Sequence, residues 1–183
     1  MSVTEPDTEP RFAFGRNWAR FLRTVTEERI AAATNSLIRV FGHEGLAGKR
    51  FLDIGCGSGL VSLAAYRLGA TVHSFDYDAD SVACAEELRR RQGAMAADRW
   101  RIERGSVLDA AYLESLGLFD IVYSWGVLHH TGAMWLAIDL AAGCVAPGGM
   151  LWIAIYNDQG VWSRVWRVIK RGYVALPRWL QPG

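Results

Sequence analysis

The stretch Phe51-Leu52-Asp53-Ile54-Gly55-Cys56-Gly57-Ser58-Gly59 decides the fold of this 183-residue chain. In it, an apolar strand runs directly into a loop with glycine at every second position, and a helical pattern follows. Glycine permits unusual backbone angles and close ligand contact, while the free amides at the start of the next helix point outward. A dinucleotide site of the G-x-G-x-x-G type would need glycine at position 60, where this chain has Leu60. The loop therefore favours a ligand other than a dinucleotide.

Short apolar runs alternate with helical patterns on both sides of this loop. The predicted strands are 50–54, 71–75, 100–103, 119–124 and 150–156, and the predicted helices between them are 59–68, 79–92, 110–116 and 132–145. Such alternation implies right-handed crossovers and a doubly wound, mostly parallel α/β sheet with helices on both faces. Ligands of these sheets bind beyond the carboxyl ends of the strands.

An acidic residue follows the second predicted strand. Asp76 lies 17 residues after Gly59, where a carboxylate can accept hydrogen bonds from both hydroxyls of a ribose. Strand, glycine loop, helix, strand and acid in this order make a specific combination. The alternative is a plain glycine turn followed by a solvated aspartate.

The two ends of the chain differ from its centre. Residues 1–13 carry acids between prolines and predict a flexible tail, and helical spacing from Phe14 predicts N-terminal cap helices before the first strand, within a domain spanning 14–157. Residues 158–183 predict a basic amphipathic helix and coil. Its basic and aromatic stripe over 161–178 fits either weak contact with an anionic membrane surface or, as the favoured alternative, packing on the sheet with the basic side chains in solvent.

Composition excludes several classes of protein. Twenty basic and 19 acidic residues give a net charge of +1, so no nucleic-acid partner is expected. No apolar run reaches the roughly 18 residues of a membrane span, and the first residues lack a signal pattern. The three cysteines, Cys56, Cys84 and Cys144, have neither disulfide nor zinc spacing, which favours a reducing interior and a cytoplasmic location without a metal site.

With these features, the chain resembles the class I S-adenosylmethionine-dependent methyltransferases, in particular small-molecule enzymes such as the ubiquinone-biosynthesis O-methyltransferase group. Further segments that carry the resemblance are 72–78, 105–107, 119–124, 127–131 and 146–149. The resemblance implies a Rossmann-like sheet of five parallel strands followed by an antiparallel hairpin, and S-adenosylmethionine as methyl donor. Only 26 residues follow position 157, and they indicate helix and coil, so the hairpin is expected to be missing.

Residue by residue, the resemblance implies that the methionine part of the donor is held by Asp53 and by the loop residues Gly55, Cys56, Gly57, Ser58 and Gly59. It implies further that Asp76 binds the ribose and that Tyr77 covers one edge of the adenine.

Segment 105–107, which follows the third predicted strand, departs from the pattern of the family. Where many members have an acid that contacts the adenine amino group, this chain has Ser106, followed by Val107. A neutral serine is expected to accept that hydrogen bond more weakly than a carboxylate. Asp109 is an alternative acceptor, although a helix N-cap before Ala110 is the favoured role for it.

The end of the fourth strand carries candidates for the reaction itself. Ser124 and Trp125 are predicted to face the donor, and Trp125 either forms an aromatic wall with a cation–π contact to the sulfonium or packs under the next helix. His129 and His130 follow, and a neutral imidazole there suits general-base work on a hydroxyl acceptor. His130 is the preferred candidate of the pair. The alternative is that neither histidine is catalytic and that one caps or packs against the helix.

These observations predict O-methylation of a small aromatic or quinone-like acceptor. One alternative is a donor-binding module without turnover, as a result of the missing C-terminal hairpin, and another is a methyltransferase acting on RNA or protein. An unpaired fifth strand is also expected to promote self-association through residues 151–155.

Overall fold

The computed structural model describes residues 25–42 and 44–156. The predicted tail at 1–13, the helix predicted from Phe14 and the basic segment at 158–183, with its suggested membrane contact over 161–178, lie outside the described residues.

Five parallel strands form one sheet in the order β3-β2-β1-β4-β5, which confirms the Rossmann-like prediction. The strands are β1 (Arg50–Ile54), β2 (Thr71–Asp76), β3 (Trp100–Arg104), β4 (Phe119–Trp125) and β5 (Val145–Ala154). The helices are α1 (Glu27–Phe41), α2 (Leu60–Arg67), α3 (Ala79–Arg90), α4 (Ala96–Arg99), α5 (Ala110–Leu116) and α6 (Met134–Gly143), with a 3-10 turn at Leu128–His130.

Side chains that accept main-chain hydrogen bonds mark where several helices begin. Thr26 accepts from the amide of Arg29 at the start of α1. Asp109 accepts from the amide of Tyr112 at 3.0 Å, so it is the N-cap of α5 that the sequence favoured. These caps satisfy amides that have no partner inside the helix.

Two apolar layers cover the sheet. Helices α1, α2 and α3 pack on one face, with Leu37, Leu63 and Leu88 among the buried contributors. Helices α5 and α6 pack on the other face through Leu113 and Ala137. Because side chains alternate along a strand, β1 sends Leu52 and Ile54 to the α5 side and Phe51 and Asp53 to the α2 side. The layout places the polar Asp53 inside an apolar layer.

Strand β5 differs from the prediction of 150–156. It begins at Val145, which pairs with Phe119, and the register then shifts before Met150 pairs with Ile121. It ends at Ala154 because β4 ends opposite it and the amide of Gly126 donates to the Ala154 carbonyl at 2.8 Å. Within the described residues, β5 pairs only with β4, and self-association through its free edge stays a prediction.

None of the helices in the described part of the chain is long and apolar enough to cross a bilayer.

Candidate functional site

The glycine loop lies at the carboxyl end of β1 and is tied to β2. The amides of Gly55 and Cys56 both donate to the Phe75 carbonyl, at 2.9 and 3.1 Å. Gly55 has φ +71°, and a Cβ atom there would lie 2.5 Å from a methyl carbon of Val127. The position therefore accepts only glycine, because the Val127 side chain packs directly against the main chain of the loop at this point.

Asp76 joins the end of β2 to this loop. Its Oδ2 accepts the amide hydrogen of Gly57 at 2.9 Å, and its Oδ1 accepts that of Asp78 at 2.9 Å. Burial raises the pKa of Asp76, and the hydrogen bonds from the Asp78 and Gly57 amides oppose that rise. Since a carboxylate oxygen has two lone pairs, each oxygen can still accept one hydroxyl of a bound diol.

Asp53 has a different environment, because only 3% of it is exposed. Ser62 of α2 donates to its Oδ2 at 2.5 Å, Ser74 of β2 donates to Ser62 at 2.8 Å, and the indole of Trp100 donates to Ser74 at 2.8 Å. We call these four residues the buried relay. They connect β3, β2, α2 and β1 inside the apolar layer.

Side-chain chemistry determines which group donates and which accepts in each hydrogen bond of the buried relay. An indole N–H can only donate a hydrogen bond, so the Ser74 hydroxyl accepts from Trp100. The Ser74 hydroxyl then donates its own hydrogen bond to Ser62. Ser62 in turn donates to the carboxylate. Burial is the largest influence on Asp53 and raises its pKa to about 7, the Ser62 hydrogen bond lowers it, and the charge of Asp76 raises it. The relay thus stabilises the ionised form of a carboxylate that burial destabilises.

Sequence reasoning missed Ser62, Ser74 and Trp100 as parts of the site. A signal was present, since both serines occupy positions on the buried face of their elements where an apolar residue is the usual choice. A polar residue at such a position needs a partner.

Tyr77 and Arg104 form a second wall of the site. Tyr77 is 45% exposed, and the Arg104 guanidinium carbon lies 5.5 Å from the centre of its ring. Arg104 Nε also donates to the Tyr77 carbonyl at 3.0 Å. In the neighbouring loop, Ser106 Oγ accepts from the Leu108 amide at 3.2 Å, and Val107 is buried. Arg104 was not among the predicted site residues.

Three of the residues predicted to bind the cofactor have side chains that are buried beneath the glycine loop. Cys56 and Ser58 are buried, and burial raises the pKa of the Cys56 thiol. Ser124 is fully buried, and its hydroxyl donates to the Ile54 carbonyl at 3.0 Å. That bond joins the ends of β4 and β1, so Ser124 supports the start of the glycine loop.

An aromatic cluster stands at the same edge of the sheet, after β4 and β5. The His129 ring centre lies 3.9 Å from that of His130 and 4.8 Å from that of Tyr156. Both ring nitrogens of His129 are buried without a hydrogen-bond partner among the described residues, whereas His130 is exposed. Burial and the neighbouring His130 lower the pKa of His129. The enclosed imidazole is therefore His129, and its surroundings favour the neutral form.

Trp125 stands beside this cluster. It is 54% exposed and stacks on Tyr123, with the ring centres 6.3 Å apart. One face of its indole is thus available to a ligand.

Within residues 25–42 and 44–156, no group of three or more His, Cys, Asp or Glu side chains is arranged to hold a metal ion.

Comparison with known proteins gives a consistent result. The family described as a methyltransferase domain matches residues 52–153. The chain is similar to the ubiquinone biosynthesis O-methyltransferases of Nitrobacter winogradskyi and Brucella ovis, with 33% identity over 75% of this chain in each case. The match covers 49% of the length of the Nitrobacter protein and 52% of the length of the Brucella protein. The chain thus spans about half the length of these relatives.

Solved structures share the fold. An O-methyltransferase family protein from Burkholderia thailandensis matches with a TM-score of 0.64 and 20% identity, over 86% of this chain and 47% of that one.

Proposed function

Because the chain belongs to the class I S-adenosylmethionine-dependent methyltransferases, we propose that it transfers a methyl group from S-adenosylmethionine to an oxygen of a small aromatic or quinone-like acceptor. One observation carries the donor half of the proposal, namely the Asp76 carboxylate bound to the Gly57 amide of the glycine loop. The names of the relatives in ubiquinone biosynthesis support the acceptor half.

The residues at the edge of β1 and β2 fit the donor. The partly exposed main chain at Gly57 suits the methionine part, and the free lone pairs of Asp76 suit the ribose hydroxyls. Tyr77, held against Arg104, offers a flat surface to the adenine. The ionised form of Asp53, stabilised by the buried relay, suits the positive charge of the donor's amino group.

S-adenosylmethionine supplies a methyl group already activated by its positive sulfur. The chain therefore has to align the acceptor oxygen with that methyl group and exclude water. The available face of Trp125 is suited to a flat acceptor and to a cation–π contact. Of the two histidines, His130 is exposed and can be reached by an acceptor hydroxyl, whereas both ring nitrogens of His129 are buried. His130 is therefore suited to take the proton from a hydroxyl acceptor, and His129 packs beside it.

A second candidate is a donor-binding module without turnover. It is favoured because, among the described residues, neither the His129 ring nor the His130 ring has a hydrogen-bond partner that would orient it. A general base is normally held in one orientation by such a partner. This candidate predicts donor binding without methyl transfer to any acceptor.

Calorimetric titration with S-adenosylmethionine and, separately, with NAD tests the donor assignment. The expected result is binding of S-adenosylmethionine. Asp76→Ala should weaken it by about 2–4 kcal/mol because two hydrogen bonds to a charged group are lost. Asp80→Ala, an exposed acid in the next helix, serves as the matched control and should bind normally. Binding of NAD alone, or an unchanged affinity in Asp76→Ala, would refute the assignment.

Transfer of radiolabel from the donor to pooled small metabolites, RNA and protein tests the acceptor. Label is expected in an aromatic or quinone-like metabolite. His130→Gln should lower turnover by about 100-fold or more with little change in donor affinity, while His129→Gln retains most of the activity. Label found only in RNA or protein would contradict the small-molecule acceptor, and donor binding with no label anywhere would favour the module without turnover.

A further inference from the structure

A second concave surface lies at the edge of the sheet opposite to the glycine loop. It is a cavity of about 360 Å³ at the amino ends of the strands. Arg50 begins β1, Thr71 begins β2 and Phe119 begins β4, and all three line it. Arginines from α3, α4 and β3 complete the wall, namely Arg89, Arg99 and Arg101.

Three of these guanidinium groups are held by main-chain carbonyls. Arg89 Nη1 donates to the Trp100 carbonyl at 2.9 Å, and Arg99 Nη1 donates to that of Ala70 at 3.2 Å. Arg50 Nη2 donates to the Leu116 carbonyl at 3.3 Å. A guanidinium has five N–H donors, so each group keeps donors for a ligand after this one bond.

Aromatic rings restrict two of the groups further. The guanidinium carbon of Arg50 lies 4.7 Å from the centre of the Phe119 ring, and that of Arg99 lies 4.4 Å from the Tyr66 ring. Fixed side chains lose less conformational entropy when a ligand binds. The cavity is therefore partly organised before any ligand arrives.

The positive charge of the cavity is only partly neutralised. Arg101 forms an ion pair with Glu103 at 2.7 Å, and the other oxygen of that carboxylate is held by His73 and Tyr112. Arg50, Arg89 and Arg99 take part in no ion pair within the described residues. Asp98 is the one carboxylate among the residues that line the cavity. The guanidinium groups of Arg89 and Arg99 thus share the cavity with one carboxylate, whereas that of Arg50 packs on Phe119 at the α5 face of the sheet.

We propose that this cavity binds a small phosphate-bearing metabolite through the guanidinium groups of Arg89 and Arg99. Guanidinium forks match the oxygens of a phosphate in geometry and charge. The cavity volume falls in the range of about 300–1,000 Å³ typical of small-ligand pockets. A nucleic acid is disfavoured, because the whole chain has a net charge of only +1 and the basic groups line a cavity instead of a long stripe. The site is separate from the proposed donor site, at the other end of the same strands.

Titration of the full chain with inorganic pyrophosphate, followed by NMR of the arginine Nε–H signals, tests the proposal. A saturable change with a dissociation constant of about 1 mM or tighter is expected. Arg89→Gln and Arg99→Gln should each weaken binding by about tenfold, since each removes one charge-assisted contact. Arg90→Gln is the matched control on α3, because Arg90 pairs with Glu87 outside the cavity, and it should bind pyrophosphate normally.

Asp98→Asn provides a test that leaves every carbonyl-held arginine in place. It removes the lining carboxylate and should tighten pyrophosphate binding by a few-fold. Titration with S-adenosylmethionine should give the same affinity in all these variants, which separates this site from the donor site. The proposal is overturned by no saturation at about 10 mM pyrophosphate, by equal losses in Arg90→Gln and Arg89→Gln, or by binding of a single-stranded oligonucleotide without binding of pyrophosphate.

Discussion

Replacing Ser62 with alanine is expected to raise the pKa of Asp53. The Ser62 hydroxyl donates to the Asp53 carboxylate at 2.5 Å, and within the described part of the chain it is the only side chain that donates a hydrogen bond to this buried group. Hydrogen bonds to charged groups contribute about 1.5–3 kcal/mol. At about 1.4 kcal/mol for each pKa unit, the loss corresponds to a rise of about one to two units above the value of about 7 for the intact protein.

The same substitution also affects Ser74. Its hydroxyl accepts from Trp100 and donates to Ser62, so in Ser62→Ala its proton has no acceptor. A buried donor without a partner costs about 1–3 kcal/mol, and the free energy of unfolding should fall by about that amount. Donor affinity should weaken as well, most strongly below the new pKa, where Asp53 is protonated.

Carbon-13 NMR of the side-chain carboxyl signals against pH measures the effect directly. The Asp53 signal is identified by its absence in Asp53→Asn. Ser81→Ala is the matched control, because Ser81 is also a buried helical serine but donates to Asp78 instead. An unchanged or lowered pKa of Asp53 in Ser62→Ala would refute the assigned direction of the buried relay.

Two further predictions follow from the same region. Gly55→Ala brings a Cβ atom within 2.5 Å of Val127 at a φ of +71°, so it should lower the thermal midpoint and abolish donor binding. Gly143→Ala is the control: it lies in helix α6 with open space around it, so it should not lower the midpoint and should bind the donor normally. Equal midpoints for the two variants would contradict the packing argument. Burial raises the pKa of Asp53 from 3.8 unfolded to about 7 folded, so the folded state binds the extra proton between these values. The free energy of unfolding should therefore fall as the pH rises from about 4 to about 7. Denaturant titrations of Asp53→Asn at the same pH values should not show this fall. The same dependence of unfolding free energy on pH in the intact protein and in Asp53→Asn would be inconsistent with a raised pKa.

Most of the fold was predictable because local patterns and tertiary structure agree. The strand at 50–54 and the helix at 110–116 have the bounds predicted for them. The helix is marked at both ends, by the Asp109 cap and by Gly117 with φ +75°. The start of β5 was predicted wrongly, because the pairing of Val145 with Phe119 depends on a register shift between strands and leaves no periodic trace in the sequence. Helix α4 has four residues, too few to show a helical period.

The candidate site was predictable only where the main chain defines it. The glycine loop and Asp76 were found because loop, strand end and acid follow one another in sequence. The buried relay was not found, because its hydroxyls meet only after α2 packs on the sheet. Which of His129 and His130 is enclosed depends on a single 3-10 turn, which no sequence pattern marks. The structure leaves His130, the preferred candidate, exposed, and its catalytic role stays a prediction.

Parallel strands also order the charges of this protein along one axis. Asp53 and Asp76 stand near the carboxyl ends of β1 and β2, whereas Arg50 and Arg101 stand near the amino ends of β1 and β3. The two carboxylates place negative charge beside the glycine loop, and their field favours a positively charged ligand there. S-adenosylmethionine carries one more positive charge than the thioether left after methyl transfer, so this field favours entry of the fresh donor over retention of the spent one. The order of charges along the strands would thus favour exchange of the spent donor for a fresh one, in addition to forming the site.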